Sequence, residues 1–461
     1  MSGIAPPTAN ATAALAEAIE AQRDRLVPCV HCGFCLPVCP TYTRLGDEAD
    51  SPRGRLHLMK AVVEGRLDPG SDAFRTHIDR CLGCRACEPA CPSGVEYGTL
   101  LELARHTSAS HVPQGRLTRA LLMVMGSRGL RGLLFLGGRV LRGTGLAALG
   151  VKVLPGLGPL RNARLALAML ASTSPWRLDQ VGADTAAGGE PRAGGEQAQG
   201  GPASAEGPPA RGTIGLLMGC VQEGLYSRVN EATVRTLEAN GFEVVAVRRQ
   251  DCCGALHAHG GDLDRARALA RNNIDAFLAA GVERVVVNAA GCGAAMKDYG
   301  TLLENDAEYG ERARQLGGKV KDVTELLAQA GPRIGGRLDI AVAYDHPCHL
   351  LHAQGIEQAP LDVLAAIPGL DVRVVTNAAE CCGGAGIYGL THPDLGGRIG
   401  GDKVTAVRAS GAAAVATPNP GCMMQIGAGL RLEGAAEGAV HPVELLDESY
   451  RRAGYYDAAA R

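Results

Sequence analysis

Cys29, Cys32, Cys35 and Cys39 recur 52 positions later as Cys81, Cys84, Cys87 and Cys91, and each set ends in a proline, Pro40 and Pro92. Nothing else in the chain restricts its fold as much. Three cysteines at intervals of three wrap a short loop around one face of a metal centre, and the fourth, just beyond, points elsewhere. The proline that follows stops the loop from continuing as helix. Zinc fits poorly, because structural zinc sites use two-plus-two spacing. A disulfide framework fits poorly too, since it belongs to short secreted chains and this chain has 461 residues and 16 cysteines.

The run C-x2-C-x2-C-x3-C-P resembles that of bacterial ferredoxins, where the fourth cysteine of each run ligates the other cluster. The resemblance implies two [4Fe-4S] clusters, one held by Cys29, Cys32, Cys35 and Cys91 and the other by Cys81, Cys84, Cys87 and Cys39. The segment between the motifs is far longer than a hairpin linkage needs and reads as helical: Ser51 caps, Pro52 takes the first turn, and Leu56, Met59 and Val63 recur at helical spacing. Ser51-Pro52-Arg53-Gly54-Arg55 is similar to the segment between motifs in the helical cluster domains of succinate dehydrogenase and heterodisulfide reductase iron-sulfur subunits. An α-helical ferredoxin domain is therefore expected over residues 1–100. Arg53 and Arg55 read either as helix-surface charge or as cations that offset anionic clusters.

The length suggests about three domains. A net charge of -2 argues against a nucleic-acid partner. Residues 1–26 show no basic stretch followed by an apolar run, and Ala11–Leu26 reads as an amphipathic helix, so no secretory signal is expected and the cytoplasm is the expected compartment. Residues 101–171 are rich in Leu, Ala, Gly and Arg, with Arg128, Arg131, Arg139, Arg142 and Lys152 interrupting every apolar run. They read as helices packed on the ferredoxin module, or alternatively as an interfacial basic helix on a partner or on the inner face of the membrane. Residues 172–212 turn to Gly, Ala, Pro and Glu, the composition of a flexible linker.

The other eight cysteines reveal an internal repeat. Cys220, Cys252, Cys253 and Cys292 are followed by Cys348, Cys381, Cys382 and Cys422 at offsets of 128, 129, 129 and 130, which divides the remainder into copies at 213–335 and 336–461. Strands are expected at TIGLLMG, FEVVAV and VERVVVN in the first copy and at LDIAVAYD, LDVRVVT and AAAVAT in the second, alternating with helices such as Glu223–Asn240 and Asp262–Ala280. Strands alternating with helices imply a parallel sheet, whose strands all end on one edge. The four cysteines of each copy should converge there, at helix starts whose positive ends favour thiolate.

Each copy carries an acidic residue before Cys-Cys-Gly, at Asp251–Gly254 and Glu380–Gly383, and so resembles the cysteine-rich CCG domain family. Over its whole length the chain is similar to the iron-sulfur subunits of glycolate oxidase. That resemblance implies an electron-transfer subunit, working with flavoprotein dehydrogenase subunits that oxidise glycolate to glyoxylate and passing electrons to a quinone or another acceptor. Equivalent subunits of lactate or anaerobic glycerol-3-phosphate dehydrogenases, or a heterodisulfide-reductase-like protein, are the alternatives. The heterodisulfide reductase version of the repeat resembles a five-cysteine pattern, and here the fifth position is Ala295 in one copy and Gln425 in the other. Four cysteines per copy could still hold a further cluster or another metal, or form a redox thiol site. His346, His349 and His352 surround Cys348 as candidate extra ligands or ordinary core histidines. Gly384, Gly386 and Gly389 spell G-x-G-x-x-G but lie inside a repeat and have no counterpart in the other copy, so glycines that let backbone approach the cysteines are expected in place of a dinucleotide site. No flavin or NAD is expected on this chain, and no catalytic residue is assigned.

Overall fold

Ser51 opens the first long helix: its Oγ accepts a hydrogen bond from Gly54 N, Pro52 takes the first helical position, and the helix runs Pro52–Val63. The computed structural model describes residues 22–158, 160–176, 178 and 209–457. Of the expected N-terminal helix, Arg23–Leu26 is a single helical turn and residues 11–21 lie outside the described residues, as does most of the expected linker. Pro52–Val63, Asp72–Asp79 and Tyr97–His111 form the helical frame of the N-terminal module. They meet in a core of Met59, Phe74, Ile78, Leu100 and Leu101, against which the cysteine loops 29–40 and 81–92 pack.

The two repeats form two four-stranded parallel sheets of the same topology. In the first, β1 (Thr213–Leu216), β2 (Glu243–Val245), β3 (Arg284–Val287) and β4 (Val320–Asp322) lie in the order β2-β1-β3-β4. In the second, β5 (Ile340–Tyr344), β6 (Leu370–Val374), β7 (Ala414–Ala416) and β8 (Gly438–Val440) lie in the order β6-β5-β7-β8. The registers correspond, Gly215↔Val285 matching Ala343↔Val415. The six expected strands are all present. The fourth strand of each sheet was not anticipated, because VKD and GAV are only three residues long and carry no alternating pattern.

The repeats share one core. Leu216, Val229 and Leu237 of the first copy and Val342, Met423 and Tyr450 of the second belong to the same buried cluster. Helix Val221–Ala239 packs on Pro442–Arg452 across the junction, where Arg228 pairs with Glu444 and Arg235 with Asp447, both at 2.7 Å.

The helical segment does not sit on the ferredoxin module as its composition suggested. Leu160–Ser172 packs on Pro420–Leu432 of the second repeat, and Arg128–Gly143 on Val221–Ala239 of the first. Packed structure also continues past residue 171: Thr173 is buried, and Trp176 lies against Gly438. The physical reason is visible in Arg128–Gly143. Arg128 and Arg131 bond Asp251, Arg139 bonds the carbonyls of Glu223 and Gly224, and Arg142 bonds Thr173 and the Leu225 carbonyl, while Phe135 on the same stripe seats against Gly224. The charged stripe faces the protein. The leucine side faces out, with Leu133, Leu136 and Val140 more than half exposed at 68%, 59% and 58%. No single described helix is long and apolar enough to cross a membrane; Arg116–Gly126 with Arg128–Gly143 reaches that composition only as a pair bent by 103°.

Candidate iron-sulfur and cysteine sites

In both N-terminal loops the residues flanking the second cysteine are left-handed: His31 (φ 55°) and Gly33 (φ 89°) around Cys32, Gly83 (φ 66°) and Arg85 (φ 61°) around Cys84. A non-glycine residue in that conformation costs ~1–2 kcal/mol, so the winding of each loop is imposed by what surrounds it. The result is two small cavities. Cys29, Cys32, Cys35 and Cys91 line one, with Cys87 on its wall. Cys39, Cys81, Cys84 and Cys87 line the other. The fourth cysteine of each loop thus lies with the first three of the other, and all are free thiols. A soft four-sulfur donor set around a cavity suits iron-sulfur clusters or another thiophilic metal.

The two arginines of the Ser-Pro-Arg-Gly-Arg segment fasten these loops. Arg53 pairs with Glu48 and donates to the His31 carbonyl at 2.9 Å. Arg55 is fully buried; it bonds Asp50, the His77 carbonyl and Thr41 Oγ1, and that hydroxyl lies 3.2 Å from Cys39 Sγ. Surface charge is therefore the wrong description of Arg55, whose burial a helical pattern alone does not reveal.

In each repeat the four cysteines gather where the strands end. Cys220 immediately precedes helix Val221–Ala239, and its Sγ is 3.5 Å from Cys252 Sγ. Cys253 in turn interacts with Cys252 and Cys292. In the second copy Cys382 and Cys422 are 3.1 Å apart, and Cys381 contacts both Cys348 and Cys382. Cys348, Cys292 and Cys422 all sit in the first turn of a helix, as the placement at helix starts predicts. A hydrogen bond from Cys381, then the neighbouring imidazole of His349, hold Cys348 well below the ordinary thiol range. Of the three histidines around it, His349 alone faces the thiols, with Nδ1 3.5 Å from Cys348 Sγ. His352 bonds the Ala379 carbonyl at 2.8 Å, and His346 stacks edge-on against Tyr344. The glycine run after Cys382 packs on Gln425: a Cβ on Gly389 would stand 2.8 Å from Gln425 Oε1.

Sequence reasoning missed the groups behind these sites. Lys403 and Asp345, both buried, form an ion pair beneath the second set. In the first repeat the same helical position holds Asn273, which bonds the Cys252 carbonyl and Tyr299. Aligning the two copies at the offset of their cysteines would have exposed the difference.

The modules bring their cysteines together. Cys84 of the ferredoxin module packs in one buried cluster with Cys348 and Cys381 of the second repeat. Tyr388 reinforces the contact by donating to the Arg80 carbonyl at 2.7 Å. Cys81 and Cys87 belong in turn to the cluster against which Cys29, Cys35 and Cys91 pack.

Known families divide the chain in the same way. A 4Fe-4S dicluster domain matches residues 25–95, and a cysteine-rich domain matches twice, at 214–297 and 342–427. The "Probable glycolate oxidase iron-sulfur subunit" of Bacillus subtilis (strain 168) is 34% identical over 460 residues, covering 93% of this chain and 94% of its own. The glycolate oxidase iron-sulfur subunit of Escherichia coli (strain K12) is 34% identical over 443 residues, 95% and 97% of the two chains. Lactate utilization protein A of an Exiguobacterium species is 28% identical over 242 residues, 52% of this chain and 99% of its own. A half-length match shares modules, whereas similarity carried through ferredoxin module, helical segment and both repeats shares the whole architecture; the chain is an iron-sulfur protein and belongs to the family of glycolate oxidase iron-sulfur subunits.

Proposed function

We propose that this chain is the electron-carrying subunit of a complex whose flavoprotein subunits oxidise glycolate to glyoxylate. Cys29, Cys32, Cys35 and Cys91 hold one [4Fe-4S] cluster and Cys39, Cys81, Cys84 and Cys87 a second, with a further cluster or metal at the four cysteines of a repeat. Removing two electrons from a 2-hydroxy acid needs a hydride acceptor, which a partner supplies; clusters, when bound, accept and release single electrons. The observation that carries this reading is the packing of Cys84 against Cys348 and Cys381, which makes the ferredoxin module and the second repeat electrically adjacent. A quinone suits the final acceptor. The outward leucine face of Arg128–Gly143 supports peripheral contact with a membrane where quinones reside.

The test is anaerobic purification alone and with the flavoprotein. At least about eight irons with acid-labile sulfide are expected from two N-terminal clusters. Glycolate should bleach the visible absorbance only when the flavoprotein is present. Zinc without sulfide, or a colourless protein, overturns the reading. Bleaching by D-lactate and not glycolate transfers it to the chemistry named for the half-length relatives.

A further inference from the structure

A cavity of ≈530 Å3 lies where the ferredoxin module and both repeats meet, within the ~300–1,000 Å3 of small-molecule sites. Cys253 of the first repeat is on its wall. So are Gly83 and Arg85, which flank Cys84, and His349, which lies 3.5 Å from Cys348 Sγ. One space therefore touches a residue at, or next to, three of the four cysteine sets. Clusters, where these sets hold them, would supply single electrons next to this space.

We propose that this cavity receives a quinone headgroup, which the subunit reduces there with His259 as proton donor. The proposal rests on the electron-transfer reading above and assigns its acceptor a site. The lining selects the ligand by charge. Each arginine on the wall already has an acidic partner: Arg85 has Asp298 and Glu88, Arg267 has Asp264, and Arg271 has Asp306. No unengaged cation is left among them to receive the pyrophosphate of a nicotinamide carrier or the carboxylate of a hydroxy acid. Leu101, Leu103, Ala255, Leu263, Ala294 and Ala295 offer apolar surface to a neutral planar ring.

The remaining groups supply protons. His259 Nδ1 is 2.9 Å from Glu102 Oε1, and the two side chains are 26% and 28% exposed, so the pair joins the cavity to solvent. Glu102 fixes Nδ1 and leaves Nε2 for a ligand. The His349 ring stands 5.1 Å away, tilted by 45°. A protein carrier that takes single electrons without protons needs neither an enclosed space nor an acid–base pair; a quinone needs both. In the balanced step the quinone takes two electrons, delivered singly from the partner's oxidation of its substrate, and two protons drawn in turn through His259, which Glu102 reloads from solvent. It leaves as quinol.

The experiment measures binding of decylubiquinone and menadione to the anaerobically purified holoprotein by titration calorimetry, alongside iron and sulfide content and quinol formation by the complex. Ala295→Leu, which fills the cavity, should weaken both probes at least tenfold with iron and sulfide unchanged. His259→Asn should lower quinol formation at least tenfold with iron and sulfide content unchanged. If Ala295→Leu disturbs cluster content, Thr99→Trp narrows the same cavity from the ferredoxin side. Undiminished binding in the cavity-filling variants, or no saturable binding by wild type, overturns the site; undiminished quinol formation by His259→Asn overturns the proton donor. A wild type that binds quinone here yet is never reduced by glycolate leaves the site standing and removes the proposed substrate.

Discussion

Lys403 Nζ lies 2.7 Å from Asp345 Oδ1 with both side chains shut off from solvent, directly behind the cysteines of the second repeat. Lys403 aims its hydrogen bonds at the carbonyls of Asn377 and Ala378, so charge more than hydrogen bonding holds the carboxylate. Burial pushes the Asp345 carboxyl up, and although the ammonium opposes the shift the group still stands at about 7. Removing one partner of such a pair strands the other. Lys403→Met is expected to destabilise the protein by about 3–5 kcal/mol, whereas Lys403→Met with Asp345→Asn should recover most of the loss. Denaturant unfolding of the three proteins checks this, and equal loss in single and double variants would show that the pair is not what fails.

Arg55 gives a prediction about the cluster loops. Arg55→Met leaves Asp50 with Arg80 at 2.9 Å and His77 at 3.0 Å, so the carboxylate is not abandoned. The cost should fall near the low end of a broken buried pair, about 3 kcal/mol. Thr41 also loses the guanidinium that holds its hydroxyl beside Cys39, so iron content should fall with stability. Arg55→Lys, which keeps the charge and loses the fork, should be intermediate. Full iron content in Arg55→Met would separate this contact from cluster assembly.

The pH dependence of stability has an identifiable contributor in His441. Its Nδ1 accepts a hydrogen bond from Val443 N and caps the last helix, and burial pushes the imidazole down to about 3. The unfolded chain titrates this group near 6.5. Below that pH the unfolded state binds a proton that the folded state refuses, so the stabilisation is intact above 6.5 and lost as pH falls toward 3. The slope is ~1.4 kcal/mol per unit, or about 2 kcal/mol between pH 6.5 and 5. His441→Asn keeps a capping side chain and should flatten that part of the curve. Parallel unfolding free energies for the two proteins at pH 7 and 5 would rule the residue out.

Much of this architecture was legible because cysteines are sparse and specific. Nearly equal offsets, 128 between Cys220 and Cys348 and 129 between Cys252 and Cys381, disclose the tandem copies, and the alternation of apolar runs with helices around them discloses parallel sheets. Short edge elements were not legible: β4 is three residues whose place is set by pairing with Val285–Val287, a tertiary fact. Nor was the inward turn of Arg128, Arg131, Arg139 and Arg142. Composition identifies an amphipathic helix, but which side faces water depends on the carbonyls and on Asp251 that wait for the guanidinium groups. The buried Arg55 and Lys403 were hidden for the same reason, since a charged residue gives no sign in sequence of the partner that lets it leave solvent.

The reversed polarity of Arg128–Gly143 makes the last prediction. Interfacial helices commonly combine an apolar face that inserts with cations that seek anionic headgroups. Here the cations are already engaged by Asp251 and by backbone carbonyls of the first repeat, so attraction should come from leucine burial alone. Binding to vesicles of pure phosphatidylcholine should then nearly match binding to vesicles with added phosphatidylglycerol, and salt should change it little. Each leucine side chain moved from water is worth ~1.5–3 kcal/mol, so Leu133→Glu with Leu136→Glu should lower partitioning at least about 100-fold. Both positions are exposed, at 68% and 59%, so the fold should tolerate the change. Vesicle flotation reads the outcome. Strong preference for anionic vesicles, or full binding by the double variant, would mean that this face does not carry the contact.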